Sequence, residues 1–138
     1  GPRLAVITNG GGPGVLAADW INQIGLSLGR LSTDSAERLA PQLPPLATLT
    51  DLIDLSEEAG PEHYRLALEA ANNDTQTAGV LAIFSPKPGR DATAVAQALS
   101  DAKKGMNKPL LTSWLGDTLV LPARQTLRKT QIPSFRTP

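Results

Sequence analysis

Residues 3–20 read RLAVITNGGGPGVLAADW, an apolar run that passes through a cluster of glycines straight into an apolar-periodic stretch. A continuous apolar run at 4–8 suits a strand buried on both faces, and the periodicity from Val15 to Ile24 suits a helix that starts where the strand ends. The glycines permit tight turning and close backbone approach, and Pro13 presets φ for a first helical turn. This geometry aims free backbone N–H groups and the positive end of a helix dipole at one point, where an anion such as phosphate can sit. Asn9, Gly10, Gly11, Gly12, Gly14 and Val15 are therefore the candidate phosphate-binding residues. A strand-to-helix connection needs a tight turn whether or not a ligand comes, so the run alone leaves both readings open. It is not a Walker A loop, because no Lys-Ser/Thr follows, and its spacing is not that of a GxGxxG fingerprint.

Four further strands are expected at 25–31, 78–84, 109–114 and 132–135. Helices are expected after the glycine turn, from 33 (with Asp34 as cap), from 60 (with Pro61 in the first turn), from Asp91, and from 117 to about 129. In the first helix Leu16, Trp20 and Ile24 form one apolar stripe with Ala17 and Ile21 beside it. The segment before Leu55 reads as a loop. Strands alternating with helices imply right-handed crossovers and a sheet covered on both sides. The expected fold is α/β, a three-layer flavodoxin-like domain with a five-stranded parallel sheet in the order 2-1-3-4-5. At 138 residues and 41% hydrophobic content the chain is expected to form one domain, 1–138. Thr137-Pro138 looks like the cap and first position of another helix, so the domain is expected to be a piece of a longer protein.

With no cysteine there is no disulfide frame and no thiolate nucleophile, which fits a reducing, cytoplasmic setting. No stretch approaches the roughly 18 apolar residues of a membrane span. Formal net charge is zero, yet residues 1–84 carry four basic and ten acidic side chains, against nine and three in 85–138. With 4% aromatics and no basic run among them, nucleic acid is not an expected partner. His63 is the only histidine and has no nucleophile in a recognisable motif, so a surface role is expected and no catalytic residue is assigned. Asp51 and Asp54 form an acidic pair that can support a loop or bind a metal, the loop role being favoured. Trp114, at the carboxyl end of the fourth strand, suits either core or a domain interface.

The segment 3–20 resembles the start of the second CoA-ligase-type flavodoxin-like domain of NDP-forming acyl-CoA synthetases. GLSLGRLS at 25–32, LIDL at 52–55, TSWLG at 112–116 and IPSFRTP at 132–138 agree in order. A distant likeness extends to succinyl-CoA synthetase. A similar region occurs in bacterial protein lysine acetyltransferases fused to a GNAT domain, and SPKPGRDATAVAQAL at 85–99 with the closing FRTP is nearer to those. The resemblance implies that the turn 9–14 is one of two helix starts aimed at a phosphorylated histidine on another domain, which His63 does not match. This domain would hold a phosphoryl group without attacking it and carry no cofactor of its own. The parent would use CoA or acetyl-CoA, ATP or ADP, and Mg²⁺, with CoA-binding, ATP-grasp and possible GNAT domains as partners. Asp51-Leu52 stands where the family usually has Asn-Pro, which places an extra carboxylate near the phosphate unless a basic group or a metal answers it. The favoured expectation is a non-catalytic domain of a GNAT-fused acetyltransferase. The alternatives are a domain of an active ADP-forming acetyl-CoA synthetase that aids phosphohistidine relay, and a structural docking module.

Overall fold

A computed structural model describes residues 2–115 and 132–135. Its centre is a pair of fully parallel strands, β1 (Arg3–Thr8) and β5 (Gly79–Phe84), paired from Leu4↔Gly79 to Thr8↔Ile83. Every residue of β5 is buried, as is β1 beyond Arg3. That is why both read as unbroken apolar runs rather than alternating ones. β6 (Leu110–Trp114) and β7 (Ser134–Phe135) extend the sheet in parallel beyond β5.

On the other side of β1 the second strand is divided. β2 (Ser27–Leu28) pairs with Arg3 and Leu4, whereas β4 (Ile53–Asp54) pairs with Ile7 and Thr8. β3 (Thr48–Leu49) adds an antiparallel edge strand to β4. The path is thus β3-β4-β1-β5-β6-β7, with β2 on β1. Taking β2 and β4 as one interrupted strand gives the anticipated flavodoxin-like order, with a hairpin added at the edge. The anticipated strand at 25–31 is shorter because Gly29 packs against the β1 backbone, donating its N–H to Leu4 O at 2.8 Å, before the chain turns into the next helix. The loop expected before Leu55 contains β3 and β4, whose two-residue lengths give no period to read.

Helices cover both faces. α2 (Thr33–Leu39), α3 (Pro61–Asn73) and α4 (Ala92–Lys103) pack on the face of Ala5, Ile7, Val80, Ala82 and Phe84. α1 (Gly11–Gln23) packs on the opposite face, on Leu4, Val6, Leu81 and Ile83. Its buried stripe is Gly14, Ala17 and Ile21 with Trp20 half-buried against the same core, while Leu16 is 64% and Ile24 48% exposed, so the expected stripe holds at Trp20, Ala17 and Ile21 and is corrected at Leu16 and Ile24. Two adjacent apolar stripes compete on this helix, and the one with small residues wins because it lets the helix lie close to the sheet. A β-carbon on Gly14 would stand 2.7 Å from Leu52 Cδ1 and 3.1 Å from Thr8 Cγ2. The α2 cap is Ser32, whose Oγ accepts from Ser35 N–H, while Asp34 lies in the first turn and pairs with Arg38. Asp91 caps α4 as expected, through Ala94 N–H. Trp114 is buried and stacks on Phe84 with ring centroids 5.2 Å apart, and Phe84 in turn meets Tyr64, so of its two readings the core holds. The helix expected at 117–129 and the cap at Thr137-Pro138 lie outside the described residues.

The end of α3 shows how ends are tied. Asp74 is buried and takes hydrogen bonds from Ser32 N–H at 2.7 Å and Gln76 N–H at 2.8 Å. Lys108 directs its ammonium at the Ala71 and Asp74 carbonyls and the Thr77 hydroxyl, neutralising the negative end of the helix. Burial alone would raise the Asp74 carboxyl, but the Gln76 and Ser32 N–H groups and the Ser35 and Ser32 hydroxyls outweigh it and hold its pKa below the ordinary 3.8. A carboxyl so depressed contributes stability above its unfolded pKa and loses it as pH falls through the folded value. Asp74→Asn is expected to cost about 1–2 kcal/mol at pH 7 in urea unfolding. The gap to the wild type should shrink as pH falls below the ordinary 3.8.

Candidate functional site

The carboxyl ends of β1 and β5 are adjacent, yet the chain leaves them in opposite directions, to α1 on one face and α4 on the other. Open α/β sheets take ligands at such a crevice. Asn9 closes its floor. Its side-chain amide donates to Ser85 O at 2.8 Å and its carbonyl oxygen accepts from Ser85 N–H at 2.8 Å, joining the two loops across 76 residues of sequence. Thr8 Oγ1 accepts from Gly10 N–H at 3.0 Å and donates to Gly10 O at 2.8 Å, fixing the N-cap residue of α1 in an extended conformation.

Each candidate from the glycine turn then has a definite place. Gly10 is the N-cap, and having no side chain it leaves the helix end uncapped. Its N–H is spent on Thr8. Gly11 and Gly12 hold the first two helical positions, and no acceptor in the chain reaches their N–H groups among the described residues. Pro13 has no N–H to offer. Gly14 donates to Gly10 O at 3.4 Å, and so begins the intrahelical ladder. Val15 lies one position further in, past the unpaired turn, with an exposed side chain. The open donors therefore narrow to two. Gly14 serves close packing, Asn9 is consumed in positioning, and Val15 stands outside the set.

Two groups that the sequence reading did not single out complete the rim. Ser85 Oγ lies 3.6 Å and Lys87 Nζ 3.9 Å from where a β-carbon on Gly10 would stand. Ser85 is 8% exposed and, among the described residues, its hydroxyl has no hydrogen-bond partner, a state it shares with the buried Ser113 Oγ and Trp114 Nε1. The only sequence signal for them was their position just past an apolar strand, in the loop SPKPGR. Lys87, Arg90 and Thr93 also line an open cleft of about 610 Å³ between the loop after β5 and the start of α4.

Asp54, at the end of β4, completes the far side. Its Oδ1 accepts from Ser56 N–H at 3.0 Å, and its Oδ2 lies 3.7 Å from where a Gly11 β-carbon would stand. Loop support and proximity to the turn thus coincide in one side chain. Asp51 is drawn away by Arg30 at 2.7 Å, a basic group that answers the extra carboxylate. No group of three or more His, Asp or Glu side chains gathers to hold a metal among the described residues. His63 is half-buried, and its Nδ1 accepts from Gly60 N–H at 2.9 Å, the return half of a capping box that ties the start of α3 to the residue before it. Asn9→Ala would strand the Ser85 N–H and C=O, costing about 2–4 kcal/mol in denaturant unfolding. Hydrogen exchange at the Ser85 amide should rise further than at strand β6.

The Ligase-CoA domain family matches residues 4–137. The chain is 34% identical, over its whole length, to the alpha subunit of acetate–CoA ligase (ADP-forming) II of Pyrococcus furiosus, and spans 31% of that subunit. It is 35% identical over 99% of its length to acetate–CoA ligase (ADP-forming) of Methanocaldococcus jannaschii, of which it spans 20%. Among solved structures, a protein of Pyrococcus horikoshii OT3 superposes with a TM-score of 0.92 at 30% identity, covering 99% of this chain and 32% of that one. A dinucleotide-forming acetyl-coenzyme A synthetase 1 of Ca. Korarchaeum cryptofilum, solved with phosphate and ADP, gives 0.90 at 27%, covering 99% and 30%. Three of these relatives are named as ligases or synthetases and none as an acetyltransferase, so the preference for a GNAT-fused parent gives way to the synthetase alternative. By sequence and by fold, the chain belongs to the Ligase-CoA domain family.

Proposed function

We propose that this chain is the part of an ADP-forming acyl-CoA synthetase that holds a phosphoryl group at the N-terminus of α1, with no nucleophile of its own. The observation that carries this reading is the pair of unclaimed N–H groups on Gly11 and Gly12, with the partnerless Ser85 hydroxyl and the Lys87 ammonium on the same rim. Donors fixed by the fold need no reorganisation when negative charge arrives, and the end of the α1 dipole adds to their pull. Such a site stabilises a phosphoryl group in transit between a nucleotide, a carrier histidine and an acyl group.

The remaining chemistry belongs to other domains of the parent, since the chain spans only 19–31% of the ligases it matches. The nucleophilic histidine, the CoA site and the nucleotide site with its Mg²⁺ are assigned there. His63, engaged in capping α3, is not the phosphate carrier. A cytoplasmic setting accords with the absence of cysteine, and no described helix is long and apolar enough to cross a membrane.

Gly12→Asp separates the site from the fold. A β-carbon on Gly12 meets nothing within 4 Å, so the side chain fits without displacing a neighbour. Replacing glycine within a helix, and placing an acid in its first turn, should stabilise the protein by roughly 0.5–1 kcal/mol. The new carboxylate competes for the same N–H groups. Phosphate binding, followed through the Gly11 and residue-12 amide resonances, should weaken at least tenfold while Tm holds or rises. Unchanged phosphate binding in this variant would refute the proposed site.

A further inference from the structure

We infer that Asp54 makes the site selective for an oxyanion that brings its own hydrogen, so that it accepts a phosphate group bearing a P–O–H and rejects sulfate. This rests on the reading that the Gly11–Gly12 turn binds an oxyanion, which the buried, partnerless Ser85 hydroxyl supports independently of the helix end. Around the turn stand two N–H donors, the Ser85 hydroxyl, the Lys87 ammonium and one acceptor, Asp54 Oδ2. Asp54 Oδ1 is spent on Ser56, and no donor in the chain reaches Oδ2 among the described residues. No ion pair joins Asp54 to Lys87 among the described residues, whereas Asp51 is taken up by Arg30. The unsatisfied acceptor therefore faces the volume that the anion enters.

An anion whose oxygens are all acceptors would set lone pair against lone pair there, and like charge against like charge. Sulfate is such an anion. A phosphate group retains an ionisable proton whose pKa lies near neutrality, about 6 for a phosphomonoester. That proton turns the repulsion into a short charge-assisted hydrogen bond to Oδ2. Formal charge agrees, because Lys87 and Asp54 cancel and the helix end is left to balance a single negative charge. Asp54 acts here as a specificity-determining residue and takes no part in bond making.

The test titrates the chain at about pH 6.5, near the phosphate pKa, with inorganic phosphate and separately with sulfate, at matched ionic strength and with EDTA present. The readout is the Gly11 and Gly12 amide resonances. Phosphate is expected to bind at least tenfold more tightly than sulfate. Asp54→Asn keeps the oxygen that accepts from Ser56 and should bring the two anions within about threefold, mainly by admitting sulfate. Equal affinities in the wild type, or a ratio that Asp54→Asn leaves unmoved, would overturn the inference. So would phosphate binding that appears only when Mg²⁺ replaces EDTA, since Oδ2 would then be a metal ligand. If neither anion moves these amides at millimolar concentration, the oxyanion site falls, whereas equal binding of both removes only the selectivity. The wild-type ratio decides by itself if the variant does not fold.

Discussion

The two hydrogen bonds between the Asn9 side chain and the Ser85 backbone are the constraint on which the site depends. They are buried, they join the loops that leave the two central strands, and they bring Ser85 and Lys87 onto the rim of a turn that belongs to another part of the chain. Without that link the donors of α1 would face solvent like those of an ordinary helix. With it, the turn, the hydroxyl and the ammonium converge at the sheet's switch point. The same interaction that satisfies a buried amide thus also builds the rim.

Charge is arranged with similar economy. The α1 helix has no acidic residue in its first turn and no capping side chain, so its positive end is left unanswered by the protein. The α4 helix at the neighbouring strand end is closed by Asp91, and α3 by His63. Of α1, α3 and α4, α1 alone has neither an acidic first turn nor a side chain acting in a cap, and Ser85 Oγ, without a partner among the described residues, stands beside it. Capping normally contributes on the order of 1 kcal/mol, so an uncapped end is a cost in stability. Arg30 completes the arrangement by drawing off Asp51 and leaving Asp54 as the carboxylate beside the turn.

The central fold was legible because burial on both faces leaves a mark in one dimension. β1, β5 and β6 are runs that only a covered parallel sheet can use, and the caps at Asp91 and Pro61 are written in local chemistry. Short edge elements left no such mark. β2, β3 and β4 have two residues each, fewer than one full alternation, so the interrupted second strand could not be read from period. The buried face of α1 is turned from the expected one for a different reason. Trp20, Ala17 and Ile21 face the core as their period implies, but close approach to Thr8 and Leu52 at Gly14 centres the buried stripe there and turns Leu16 and Ile24 outward.

Sequence by itself determined that a glycine turn joins a buried strand to a helix, because glycine content, strand apolarity and helix period are all local properties. It also carried the family likeness. Only the tertiary structure decided which N–H groups remain free, because that depends on what Thr8 and the first helical turn consume. It alone brought in Ser85, Lys87 and Asp54, from strands that become neighbours through sheet pairing rather than through sequence distance. Partners so far apart in the chain have no common local pattern, so their meeting is a property of the fold.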